Sequence, residues 1–146
     1  MSILIVLLAI VGFLISSYFT AVAYRWIRPD VGWIPSFCRM SERTCASIVF
    51  TPRARVLGAP NSLLAQCFYA ALTAGIMGDL LFWKPAYYGF LFASLVTVLL
   101  GIFLTYSLLF ITRVPCKLCF TSHAINFVIF VVLLKGLSHV GNKTLG

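Results

Sequence analysis

Four long apolar segments alternate with polar stretches along the chain, and one polar stretch is much longer than the others. A helix of about 20 apolar residues crosses the hydrocarbon layer of a membrane. The pattern therefore predicts an all-α integral membrane protein, a four-transmembrane-helix bundle that forms one domain over residues 1–146. The predicted spans cover residues 3–24, 62–83, 87–112 and 116–134, and the long loop covers residues 25–60.

The first apolar segment is interpreted as a retained span rather than a cleaved signal peptide, because it lacks a charged start and ends in interfacial aromatic and arginine residues. The long loop that follows is predicted to be partly helical and to cap the bundle at the membrane surface. Thr51 and Pro52 are a typical N-cap and first helical residue, so a short helix is expected over residues 53–57, ended by Gly58.

Composition agrees with a membrane protein and excludes several other classes. Hydrophobic residues make up 62% of the chain and charged residues only 10%, too few to coat a soluble domain of this size. The net charge of +8 would suggest nucleic acid in a soluble protein. Here the basic residues lie between apolar segments, where they are typical of membrane-surface anchors, so no nucleic-acid partner is expected.

A CxxC motif, Cys116 to Cys119, stands at the start of the predicted fourth span. A helix N-terminus, together with the nearby Arg113 and Lys117, favours the thiolate form of Cys116. Cys119, about one turn deeper in the membrane, is expected to be the more buried of the two. These two cysteines are the candidate catalytic residues.

Two polar residues follow the motif on the same side of the helix. At 100° per residue, Cys116, Cys119, His123 and Asn126 fall within an arc of about 80°. Polar groups inside a membrane are candidates for function. A hydrogen-bonded packing role remains open for His123, and a role in holding helices together remains open for Asn126. Cys67, which has no partner in the pattern, is interpreted as a small apolar filler.

Cys38 and Cys45 in the long loop add a second cysteine pair. A structural zinc site shared with the CxxC motif is an alternative, but zinc-binding pairs are usually spaced more closely than these two, and no metal site is expected. Two dithiols instead suggest a relay of thiol–disulfide exchange. A lipid-soluble quinone would explain why the CxxC pair lies at the top of a membrane bundle, since dithiol oxidation and quinone reduction are both two-electron changes.

These features resemble the vitamin K epoxide reductase family over nearly the whole chain. The resemblance rests on the stretch Cys116-Lys117-Leu118-Cys119-Phe120-Thr121-Ser122-His123-Ala124-Ile125-Asn126, on Cys45 to Phe50 followed by Pro52 and Leu57-Gly58, and on Pro60-Asn61-Ser62 followed by Cys67-Phe68-Tyr69. The loop pair precedes the CxxC motif, whereas the order is reversed in DsbB-type quinone oxidoreductases. His123 stands where well-known animal members carry tyrosine, and the loop cysteines are one residue closer together than in vertebrate forms.

The resemblance implies a role for each candidate residue. Cys119 would react with the quinone or epoxide, and Cys116 would close the disulfide with it and exchange with Cys45. Cys38 would resolve that mixed disulfide and face a thioredoxin-like redox protein, which would be a separate chain. The substrate-binding residues would be Asn61, His123, Phe68 and Val49, with Asn61 donating a hydrogen bond to a quinone oxygen.

The implied activity is that of a vitamin-K-epoxide reductase that also reduces vitamin K quinone. No cofactor would be bound permanently, and the partners would be the quinone or epoxide substrate, membrane lipid and the thioredoxin-like protein, with the chain itself a monomer. An envelope enzyme that forms disulfides with ubiquinone or menaquinone is the first alternative. A non-enzymatic tetraspan protein with a structural zinc site is the second.

Membrane orientation is where two patterns disagree. Eight of the eleven basic residues lie on the side of the long loop, which the positive-inside rule would place in the cytoplasm. A dithiol relay needs an oxidising compartment, and the family keeps its cysteines on the lumenal or periplasmic side. We therefore expect an endoplasmic reticulum membrane protein with lumenal cysteines and cytosolic termini, or a plasma membrane protein in a prokaryote.

Overall fold

Four long helices dominate the structure, a computed structural model that describes residues 2–27, 55–56, 59–111, 113 and 116–142. They are α1 (Ser2–Ala23), α2 (Asn61–Met77), α3 (Lys84–Tyr106) and α4 (Lys117–Asn142), with a two-stranded hairpin of β1 (Arg55–Val56) and β2 (Ala59–Pro60) before α2, a 3-10 turn at Leu80–Phe82 and a π-helical continuation of α3 at Ser107–Ile111. The predicted all-α class is therefore confirmed over this part of the chain.

Three of the predicted spans are long and apolar enough to cross a membrane. They are Ser2–Ala23, Lys84–Ile111 and Lys117–Leu137. Helix α2 has 17 residues and is shorter than these three. Many large apolar side chains on the outer surface are exposed, as expected where a bundle faces lipid rather than water.

The segment predicted as the second span does not continue to residue 83 as one helix. Helix α2 ends at Gly78, whose N–H donates to the Ala74 carbonyl over 2.8 Å, and Asp79 then adopts a left-handed φ of 57°. Helix α3 begins at Lys84 with Pro85 in its first turn, where a missing N–H costs nothing. The predicted end of the second span at residue 83 is therefore wrong, and the chain reverses direction earlier, at residues 78–83.

The short helix expected at residues 53–57 is also wrong over the residues that the structure describes. Arg55 pairs with Pro60 and Val56 with Ala59 in an antiparallel ladder. The residue before a proline avoids the helical region, and a β-branched valine favours an extended backbone, so the local sequence suits a hairpin. The remaining loop predictions at residues 28–54 lie outside the described residues.

Tyr69 lies at the centre of the bundle and is fully buried. Its hydroxyl donates a hydrogen bond of 2.6 Å to Oδ1 of Asn126, which joins α2 to α4. On the α1 side the phenol ring faces Gly12, where a Cβ atom would lie 2.7 Å from Cε1 of the ring. Three helices therefore meet at one aromatic side chain, and α1 approaches it only because residue 12 has no side chain.

Apolar packing extends this contact along the bundle. The buried cluster around Tyr69 takes residues from all four helices: Ile5, Ala9, Leu72, Tyr87, Ile125, Ile129 and Leu133. The Tyr87 hydroxyl also donates to the backbone carbonyl of Leu133, which ties α3 to α4. Helix α4 thus contacts each of the other three helices through the residues that follow the CxxC motif.

Replacing Gly12 with alanine is expected to destabilise the bundle, since the new methyl group would collide with the Tyr69 ring. Overpacking of this kind costs about 1–3 kcal/mol. Gly89→Ala is the matched control, because a Cβ at Gly89 meets no atom within 4 Å and alanine improves helix propensity. Thermal unfolding in detergent should rank Gly12→Ala below the parent and Gly89→Ala at or above it; equal midpoints for the two variants would contradict the close approach.

Candidate functional site

The two cysteines of the CxxC motif are adjacent at the head of α4. Their Sγ atoms lie 2.8 Å apart, and both cysteines are thiols in this structure. Helix α4 begins at Lys117, and the Phe120 N–H donates to the Cys116 carbonyl over 3.2 Å, so Cys116 directly precedes the first helical residue. The predicted fourth span begins at Cys116, and the helix begins one residue later, at Lys117.

Burial distinguishes the two thiols, in the opposite order to the one expected from sequence. Cys116 is completely buried, because it packs against Phe19, Val22 and Ala23 in the last turns of α1. Cys119 is only half-buried at the edge of the same cluster. The prediction that Cys119 would be the deeper thiol is therefore wrong, and Cys119 is the thiol that a molecule in the membrane could reach more easily.

The end of α1 also holds the start of α2. Thr20, the neighbour of Phe19, donates a hydrogen bond of 2.9 Å to the Ser62 hydroxyl. One turn deeper, the Gln66 side-chain amide donates to Ser17 over 2.6 Å. Asn61, the first residue of α2, therefore lies at the same end of the bundle as the thiol pair, and its amide oxygen is buried there.

His123 packs against the backbone of α3. A Cβ atom added to Gly101 would lie 3.0 Å from Nδ1 of the imidazole. This nitrogen is buried, and none of the described residues forms a hydrogen bond with it. His123 comes one turn after Cys119 on the same helix, so the two residues project from neighbouring positions on the surface of α4.

Asn126 has a structural partner. It is 6% exposed and accepts the Tyr69 hydrogen bond, so the structure favours a role in joining helices over a role in binding substrate. Side chains of the predicted arc on α4 therefore contact three different helices. Cys116 faces α1, Asn126 faces α2 and His123 faces α3.

The remaining candidates divide into those that the structure describes and those outside it. Phe68 is half-buried on α2, packs against the central cluster, and its ring centroid lies 5.6 Å from that of Tyr69. Cys67, interpreted from sequence as a packed filler, is instead exposed on α2. Cys38, Cys45 and Val49 lie outside the described residues.

Potential metal ligands do not cluster in the part of the chain that the structure describes. Among these residues there is no group of three or more His, Cys, Asp or Glu side chains that could hold an ion. The loop cysteines required by the zinc alternative lie beyond this part of the chain.

An open groove of about 680 Å³ runs between α1 and α2 at the end of the bundle that carries the thiols. Its lining is mainly apolar and includes Tyr18, Tyr24, Trp26, Leu63 and Gln66. Tyr18 also packs on the cluster that contains both thiols, so this side chain lies between the groove and the CxxC pair. The groove therefore borders the thiol cluster through Tyr18, while Cys119 itself is not among the lining residues.

Three residues of this arrangement were not singled out from sequence. Tyr69, Gly12 and Gly101 each lie at a close contact between two helices, yet a glycine or a tyrosine in an apolar segment is common. Only the position of Tyr69 in the middle of a span gave a signal, since a buried hydroxyl in a membrane needs a partner.

One known protein family matches most of the chain. The sequence profile described as "Vitamin K epoxide reductase family" matches residues 3–134. This range covers nearly all of α1, all of α2 and α3, the CxxC motif, and α4 as far as residue 134. Among individually curated proteins, a sequence search finds no match. A match over this much of the chain establishes the family and, with it, a membrane redox function. On this basis the chain belongs to the vitamin K epoxide reductase family.

Proposed function

We propose that the chain is a membrane thiol oxidoreductase that reduces vitamin K epoxide and vitamin K quinone with electrons from a cysteine relay. The observation that carries the proposal is the thiol pair at the head of α4, with Sγ atoms 2.8 Å apart. One thiol is buried against α1 and the other is half-buried. This is the division that a dithiol needs if one sulfur attacks a lipid-soluble substrate and the other closes the disulfide.

For the epoxide, the proposed reaction starts with attack of the Cys119 thiolate on an epoxide carbon, which forms a C–S bond and breaks a C–O bond. The released oxygen takes a proton from a hydrogen-bond donor. Cys116 then attacks the Cys119 sulfur, which forms the disulfide and returns the electron pair to the substrate carbon. Protonation of that carbon and loss of water give the quinone. The dithiol loses two electrons, and the epoxide gains them.

For the quinone, the same dithiol supplies two electrons and two protons and gives the hydroquinone. Asn61 and His123 are the proposed hydrogen-bond partners of the substrate oxygens, since both lie at the thiol end of the bundle. Such groups stabilise the negative charge that develops on a substrate oxygen during the reduction. Phe68 and Val49 are proposed to contact the ring, and the groove between α1 and α2 to hold part of the apolar chain of the substrate.

The proposed relay restores the dithiol after each turnover. Cys45 exchanges with the Cys116–Cys119 disulfide, Cys38 resolves the mixed disulfide, and a thioredoxin-like protein reduces the loop pair. Thiol–disulfide exchange of this kind suits a lumenal or periplasmic site, so we propose that the cysteines face the lumen of the endoplasmic reticulum, or the outside of a prokaryotic plasma membrane. The chain is proposed to act as a monomer.

Cys119→Ser is expected to abolish turnover of vitamin K epoxide by purified protein with dithiothreitol, because the nucleophile is lost. Removal of a residue that forms the covalent intermediate lowers kcat by at least about 10³-fold. Cys67→Ser is the matched control, since Cys67 is exposed on α2 and takes no part in the proposed reaction. Substrate loss and product formation, followed by chromatography, should show full activity for the control. Retained turnover in Cys119→Ser would refute the assignment of the nucleophile.

Cys38→Ala and Cys45→Ala are expected to separate the two sources of electrons. Dithiothreitol is small enough to reduce the CxxC pair directly, so turnover with dithiothreitol should stay within about twofold of the parent. A change of this size is well below tenfold, which corresponds to about 1.4 kcal/mol. Turnover with reduced thioredoxin-like protein as the donor should disappear. Equal losses with both donors would show that the loop cysteines act in folding rather than in a relay.

The orientation can be tested at Asn142-Lys143-Thr144, a sequon for N-glycosylation in the tail. In a eukaryotic cell the proposed topology leaves this tail in the cytosol, so it should carry no glycan and should be insensitive to endoglycosidase. A sequon added to the long loop serves as the positive control and should be modified. Glycosylation of Asn142 would place the tail in the lumen and contradict the proposed orientation.

The same purified protein also distinguishes the alternative enzyme. Vitamin K epoxide, vitamin K quinone and ubiquinone should be offered separately with dithiothreitol. Turnover of the epoxide supports the proposal, whereas reduction of ubiquinone without any turnover of the epoxide would favour an enzyme that forms disulfides in a cell envelope.

A further inference from the structure

Gly101 lies in the C-terminal part of α3, where the backbone of this helix comes close to the His123 ring. A Cβ at this position would lie 3.0 Å from Nδ1, 3.3 Å from Cγ and 3.5 Å from Cβ of the histidine. The first two distances are shorter than ordinary van der Waals contact, so the ring is in place only because residue 101 has no side chain. A Cβ at Gly89, also in α3, would meet no atom within 4 Å, so this glycine imposes no such condition.

The contact with Gly101 determines which edge of the imidazole can face a substrate. The Nδ1–Cγ edge faces α3, and Nδ1 is buried without a hydrogen bond from any described residue. A neutral imidazole carries one proton, on either nitrogen, and a buried N–H without an acceptor is rarer in proteins than an unsatisfied acceptor. The proton is therefore expected on Nε2, which lies on the part of the ring farther from Gly101.

We propose that Gly101 is a positioning residue for the reaction. By letting the backbone of α3 approach the ring, it holds His123 so that Nε2–H is presented to a substrate oxygen on the side of α4 that carries Cys119. Gly101 does not touch the substrate and acts only through His123. The kinetic consequence of this inference rests on the proposed function. The placement of the His123 ring by Gly101 does not depend on it.

A kinetic cycle tests the coupling between the two residues. Gly101→Ala and Gly89→Ala are each made in the parent and in His123→Ala, and kcat/KM for vitamin K quinone is measured with dithiothreitol. In the parent, Gly101→Ala should lower kcat/KM by about three- to tenfold, the loss expected for one hydrogen bond. In His123→Ala the same substitution should have no further effect, since the ring it displaces is absent. Gly89→Ala should leave kcat/KM unchanged in both backgrounds.

A spectroscopic readout does not depend on activity. The chain contains two histidines, His123 and His139, so selective ¹⁵N labelling of histidine gives two sets of ring signals in detergent, provided that the purification tag contains no histidine. Gly101→Ala should move the His123 signals and leave those of His139 in place. Gly89→Ala should move neither set.

Two results would overturn the proposal: an equal loss of kcat/KM from Gly101→Ala with and without His123, or His123 signals that stay in place in Gly101→Ala. If the parent turns over no quinone, the proposed function is wrong. In that case the ring signals alone decide, and a shift confined to Gly101→Ala still supports the placement of His123 by Gly101.

Discussion

The hydrogen bond from Tyr69 to Asn126 is the contact on which the rest of the bundle depends. It joins α2 to α4 over 2.6 Å in a fully buried position, and Gly12 lets α1 pack directly on the same ring. In an apolar interior no water can replace the lost partner, so the two polar side chains favour one rotation of α2 against α4. Asn61 at the start of α2 lies at the same end of the bundle as the thiols at the head of α4, because the end of α1 contacts both.

The reactive end adds a second constraint, which comes from α1. The last turns of this helix bury Cys116 and, through Thr20, hold the first turn of α2 by a hydrogen bond to Ser62. Cys119 is left half-buried, although it lies farther along the helix. The difference in exposure between two adjacent thiols therefore follows from where α1 ends, and it supports a mechanism in which Cys119 meets the substrate while Cys116 waits to close the disulfide.

Helix positions were predictable from sequence because long apolar segments leave few alternatives. The CxxC motif, the N-terminal position of Cys116 and the family were likewise visible in the order of the residues. The relative burial of Cys116 and Cys119 was not, because it depends on the partner helix and not on depth along α4. The break at Gly78 and the pairing of Arg55 with Pro60 were also missed, because the local sequence favoured a helix in both places. The contact between Gly101 and His123 joins two helices, and such a contact cannot be predicted from a single sequence.

The proposed mechanism requires the thiols at the head of α4 themselves to reduce the quinone. A single turnover without oxygen can show this, using the Cys38→Ala, Cys45→Ala double variant so that the relay cannot contribute. The reduced protein, freed of dithiothreitol, is mixed with one equivalent of vitamin K quinone, and hydroquinone and disulfides are then quantified by chromatography and peptide mapping. We expect one hydroquinone for each new Cys116–Cys119 disulfide, with the Cys67 thiol unchanged. Hydroquinone that forms while Cys116 and Cys119 both remain thiols would contradict it.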